Sequence, residues 1–163
     1  EGLRNRNILN ENGDSKELSG IGGWLIFFCL YLFSSLSNNL ASLNSGLELL
    51  SSFNERDIVG LVSFNATTFK NLMYFENSGT FFIIAINVVL IFKFFQKKRN
   101  FKSLLIFWYI FTIVFSFIDA LLANHYLGLD ENFFPEIFAM ILACSVWLTY
   151  FHISLRVKNT FIN

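Results

Sequence analysis

The chain has 163 residues, 54% of them apolar, with 22 Phe against a single Pro and a mean hydropathy of +0.51, too apolar for a water-soluble domain of this size. Twelve Lys and Arg balance twelve Asp and Glu, so the clustered basic face that nucleic-acid binding needs is not expected. Cys29 and Cys144 lie in apolar stretches without CxxC spacing or a neighbouring His, which argues against a disulfide framework or a metal site and for two buried spectators.

Residues 1–19 are polar and of mixed charge, with no apolar run that could serve as a secretory signal, so they read as a cytoplasmic segment and the first helix must act as its own targeting signal. A hydrocarbon core of about 30 Å takes roughly 20 helical residues, and four uncharged or nearly uncharged runs approach that length. The first opens at Gly20-Ile21-Gly22-Gly23-Trp24, continues as LIFFCLYLF and then turns polar with Ser34, Ser35, Ser37, Asn38 and Asn39. The others cover about 79–95, 104–123 and 135–153, the last with Pro135 in the first turn, where a missing N–H is harmless. The expected fold is therefore all-α, an integral membrane bundle of four transmembrane helices over one domain, residues 20–163. Residues 46–76 form the one sizeable loop. Its Leu47, Leu49, Leu50, Ile58, Val59, Leu61 and Val62 predict an ordered, membrane-hugging segment whose secondary structure is left open.

Orientation follows from the basic residues, which stay on the cytoplasmic side during insertion. Lys93, Lys97, Lys98, Arg99 and Lys102 flank the connection between helices two and three; Arg4, Arg6 and Lys16 precede helix one; Arg156 and Lys158 follow helix four. The opposite side keeps Arg56 and Lys70 among Glu48, Glu55, Asp57, Glu76, Asp130, Glu131 and Glu136. Both termini are thus expected in the cytoplasm. Trp24, Tyr74 and Tyr126 fall at interfacial depth, whereas Trp108 and Trp147 lie deeper and read as packing residues.

Two end pieces, Gly20-Ile21-Gly22-Gly23-Trp24-Leu25-Ile26 and Trp147, Tyr150-Phe151, Ser154-Leu155-Arg156-Val157-Lys158-Asn159-Thr160-Phe161, together with Asp119 in the third helix, resemble the bacterial domain of unknown function 2569 family. The resemblance runs over about residues 19–162, with RVKNTF its most specific part. It implies a four-helix protein of the bacterial inner membrane and supplies no reaction. Gly22, Gly23, Trp24, Trp147, Arg156, Lys158 and Asn159 are the residues that carry it, and Thr149 stands where the resemblance implies a Pro.

Asp119 is the one acid inside an apolar run, and a carboxylate near the bilayer centre costs roughly 2.5 to 3.5 kcal/mol on insertion scales. Helical rise puts it level with Asn38, Asn39 and Thr80, with Ser116 one turn below and His125 and Glu136 at the outer mouth. These residues are the candidate polar pocket, and a packing hydrogen bond from Asp119 is the alternative to a proton, cation or head-group site. Asn87 reads as an interhelical hydrogen-bond partner. His125 and His152 fall on opposite sides and cannot share a metal. Intramembrane proteolysis needs two membrane aspartates, a Ser with a His, or HExxH; the chain has none of these patterns, and no enzyme is expected.

The expectation is a non-catalytic accessory or scaffold subunit associating with other membrane proteins, with itself and with lipid, without cofactor or metal. The alternative is a small oligomeric carrier or channel built around Asp119. For the topology, a cysteine introduced as N100C is expected to react with an impermeant thiol reagent only after the inner leaflet is breached, and D130C to react in intact cells. The opposite labelling pattern would reverse the orientation.

Overall fold

The computed structural model describes residues 21–52, 66–127 and 132–161. Arg4, Arg6, Lys16 and the rest of the polar N-terminal segment lie outside the described residues, as do Ile58, Val59, Leu61 and Val62 of the expected outer loop and Asp130 and Glu131. Five helices are described: α1 (Trp24–Ser52), α2 (Ala66–Phe95), α3 (Phe101–Leu127), α4 (Phe134–Ile153) and the short α5 (Leu155–Thr160). The first four are long and apolar enough to cross a membrane.

The chain enters α1 through Gly23, whose φ of 56° is the left-handed conformation that a Cβ disfavours. Between α2 and α3 the chain turns in a few residues. The N–H of Lys98 donates to Phe92's neighbour Lys93 O at 3.2 Å and that of Lys97 to Phe94 O at 3.1 Å, the two bonds of a Schellman cap. The left-handed position of that cap is taken by Lys97 (φ 54°) where glycine is usual. Pro135 sits in the first turn of α4, and α4 continues as helix through Thr149. It stops at Ser154, whose extended backbone (ψ 120°) breaks the spiral and whose Oγ accepts the Val157 N–H at 3.4 Å to start α5.

Each long helix packs mainly on its sequence neighbour, in antiparallel fashion. Phe28 of α1, Phe94 of α2, Phe101 of α3 and Phe151 of α4 meet at one end, with Phe28 to Phe94 at 5.9 Å, Phe94 to Phe101 at 5.5 Å and Phe28 to Phe151 at 4.7 Å between ring centroids. Every described Lys and Arg except Lys70 lies at that end, hence the basic end, and Glu48, Glu76, Asp119 and Glu136 lie toward the other.

The outer-loop expectation is corrected at both of its edges. Residues 46–52 complete α1 and residues 66–76 begin α2, so the helices, with 29 and 30 residues, extend past the membrane thickness at the acidic end. The cause is packing. Leu72, Met73, Asn77, Thr80, Ile83, Asn87, Leu90 and Phe94 form one buried stripe with three- and four-residue spacing, which continues without a break from the membrane core into the supposed loop. Gly46 on α1 faces the Asn77 side chain, and Gly79 on α2 faces the Phe115 ring of α3, so closely that a Cβ at either position would overlap its neighbour. Small residues at crossing points let apolar helices approach in lipid, where no solvent is expelled between them.

The Gly79 contact is testable. G79V should push α2 from Phe115 and lower stability by about 1–3 kcal/mol, the usual range for overpacking a close contact. The lipid-exposed neighbouring substitution S78V should leave it near the parent. Reversible unfolding in mixed micelles measures both, and equal effects would show that the crossing is not tight.

Candidate functional site

Asp119 is half-buried on α3, and its electrostatic neighbour is Glu76 on α2. Sequence reading placed Glu76 in a loop; the buried stripe of α2, legible as spacing, would have put it on the helix. Thr80 is buried one turn from Glu76, and Ser116 is half-buried one turn from Asp119. The remaining pocket candidates are not drawn to the carboxylate. Asn38 is exposed, Asn39 donates from Nδ2 to Ser35 Oγ within its own helix at 3.4 Å, His125 is exposed with its ring against Tyr126 at 4.8 Å, and Glu136 is exposed in the first turn of α4. Among the described residues no hydrogen bond joins Asp119 to any of them. Two cavities open beside this region between α2 and α3. One of about 310 Å³ is lined by Thr68, Asn71, Phe75 and Tyr126, and one of about 430 Å³ by Phe75, Gly79, Phe111 and Phe115; Asp119 lines neither.

A second polar group lies nearer the basic end. Asn87 is fully buried and donates from Nδ2 to Ser35 Oγ across the α1–α2 interface at 3.3 Å, the interhelical role expected for it. Ser35 Oγ thus accepts from two amides. Asn87 Oδ1, Trp108 Nε1 and the Tyr109 hydroxyl are buried without a protein partner. The Tyr109 and Tyr31 hydroxyls approach one another, short of good hydrogen-bond geometry for Tyr109. Of this group the sequence pointed only to Asn87, because Trp108 read as a packing residue and Tyr109 was not singled out.

The third assembly joins the two ends of the chain. The Arg156 guanidinium lies over Gly22, at the place a Cβ would occupy. Val157, Thr160 and Phe161 of the closing segment are buried, with Thr160 Oγ1 donating to Arg156 O at 2.7 Å, while Lys158 and Asn159 are exposed. Phe161 stacks on Phe101 with centroids 4.9 Å apart and planes inclined by 15°. Trp147 meets Phe28 at 4.9 Å and Tyr31 at 5.9 Å, whereas Trp24 is largely exposed at the start of α1.

Four apolar spanning helices, a lipid-exposed exterior and a helical fold throughout the described residues define a multi-pass membrane protein. The chain belongs to the family described as Protein of unknown function (DUF2569), which matches residues 18–162. No curated protein and no solved structure matches it. The Gly22, Gly23, Trp24 and Arg156, Lys158, Asn159 motifs, far apart in sequence, belong to one end of the bundle.

The clasp between Gly22 and Arg156 predicts strong coupling. G22V should destabilise the parent, and most of that loss should disappear in an R156A background, where the space above residue 22 is free. A double-mutant cycle read by unfolding in micelles should return about 0.5–3 kcal/mol, and simple additivity would refute the contact.

Proposed function

We propose that this protein is a non-catalytic membrane module of the bacterial inner membrane, with both termini in the cytoplasm, that acts as an accessory or scaffold subunit for other membrane components. The observation that carries this reading is the way the bundle is filled. Phe28, Phe94, Phe101, Phe151 and Phe161 interlock at the basic end, so a polar route from the Asp119 region would have to pass through stacked rings. The exterior is correspondingly rich in large apolar side chains on all four long helices, among them Phe27, Phe81, Phe92, Phe107, Phe138 and Val146. Aromatic and aliphatic side chains in this arrangement suit packing against lipid and neighbouring helices. The Lys and Arg residues at the adjoining ends of α2, α3 and α5 support the cytoplasmic placement of the termini.

The Glu76–Asp119 pair favours the second reading, a small carrier whose acids exchange a proton or cation. The two readings separate in D119N. Extracted with its surrounding bilayer in polymer-bounded discs, the protein is expected to retain a fixed stoichiometry with partner subunits, and D119N should retain it unchanged. In proteoliposomes the parent should carry no proton or cation flux above empty vesicles. A single-copy particle together with flux abolished by D119N would overturn the scaffold reading.

A further inference from the structure

We infer that the basic end of the bundle holds a binding site for one anionic phospholipid, in the groove between α3 and α4. Two cations distant in sequence are brought together there. Lys102 lies in the first turn of α3 and Lys158 in α5, close enough for their charges to repel. Arg156, on the same short helix, is turned to Gly22 at the start of α1, and His152 is exposed in the last turn of α4. Among the described residues no Asp or Glu lies at this end to neutralise them.

Lys102 and His152 line a cavity of about 90 Å³ together with Leu105, Ile106, Leu148 and Phe151. Its polar groups are confined to the ends of α3 and α4 that carry the charges. Its other walls are aliphatic and aromatic, with Leu105 and Phe151 buried as the floor and Ile106 open to the membrane. A cationic rim above an apolar trough is the complement of a phosphodiester above an acyl chain. Basic pockets between transmembrane helices recognise anionic head groups in this way. The groove is too small for a whole lipid, so it takes the first part of one chain while the rest lies on the outer surface of Ile106 and its neighbours.

The charge arrangement selects among lipids. A net-negative head group between Lys102 and Lys158 turns their mutual repulsion into attraction. A zwitterionic head group brings an ammonium of its own into the same space and gains less. The positive Lys97, Lys98 and Arg99 of the α2–α3 turn attract anionic lipid only diffusely, because they are exposed and do not line this cavity.

Native mass spectrometry of the full chain, titrated with phosphatidylglycerol or phosphatidylcholine of identical acyl chains, tests the site. One phosphatidylglycerol should bind roughly tenfold or more tighter than phosphatidylcholine. The double substitution K102Q with K158Q should reduce that preference to near unity, K102R with K158R should preserve it, and K98Q with R99Q should leave it largely intact. I106W, which fills the trough from the membrane side without touching a cation, should lower occupancy while unfolding as the parent does. Equal binding of the two lipids would overturn the site, as would an equal loss in K98Q with R99Q. Full displacement of the bound lipid by millimolar inorganic phosphate would also overturn it, since that would identify a soluble-anion site in which the acyl chain takes no part.

Discussion

The side chain of Phe28 is the point on which the rest of the bundle depends. From α1 it touches Phe94 of α2, Phe101 of α3 at 6.1 Å, and Trp147 and Phe151 of α4, so one ring ties together all four long helices. In lipid there is no hydrophobic gain from bringing helices together, and cohesion comes from dispersion, shape and a few polar contacts. Aromatic pairs contribute about 0.5–1.5 kcal/mol each beyond area burial, against an average near 0.6 kcal/mol for an interhelical hydrogen bond measured in a membrane protein. Several aromatic pairs at one end therefore outweigh the single Asn87–Ser35 bond. The hydrogen bond fixes the register of α1 on α2, and the rings supply most of the cohesion.

That knot makes the two ends of the molecule different. At the basic end α5 folds back and adds Phe161 to the cluster, so the end of the described chain is held by the same packing that closes the bundle. At the acidic end the helices are joined by narrower contacts, Gly46 against Asn77 and Gly79 against Phe115, and α1 and α2 extend beyond their partners. α2 is the most enclosed of the spanning helices and carries the continuous buried stripe. Its length explains why Glu76 reaches the level of Asp119, whereas Asn38 on the exposed side of α1 does not take part.

The four spans were legible because length and apolarity alone determine whether a helix can cross the hydrocarbon layer, and Pro135 and the Gly23 turn marked two of their starts. The helix ends beyond the membrane were not legible in the same way. Residues 46–52 and 66–76 are polar enough to read as loop, and only the spacing of Leu72, Met73, Asn77 and Thr80 reveals that the packing surface continues. The candidate pocket around Asp119 was drawn from helical rise, which fixes depth but not azimuth. Depth put Asn38, Asn39 and Thr80 at one level; the rotation of each helix about its axis, set by the aromatic knot and the glycine crossings, decided that only α2 presents an acid to Asp119. That Trp108 and Tyr109 join Asn87 in a polar group was missed for the complementary reason, since Trp108 was classed by its ring as packing and the indole N–H and the Tyr109 phenol were left uncounted.

The distribution of the residues that carry the family resemblance has a consequence for where a shared role resides. Gly22, Gly23, Trp147 and Arg156 act at the basic end: they open the first helix, fill the space between α1 and α4, and clasp the start of the spanning region to its finish. Lys158 and Asn159 are exposed beside them. Asp119 stands apart at the other end, next to Glu76 and without a hydrogen bond among the described residues. If Asp119 were the centre of a transport path, the aromatic knot would block its half toward the basic end, and Gly22, Trp147 and Arg156 would be among the residues that hold the block in place. A bundle sealed at one end, with cations displayed around the seal, is better suited to contacts made at that membrane surface than to movement of a solute through the middle.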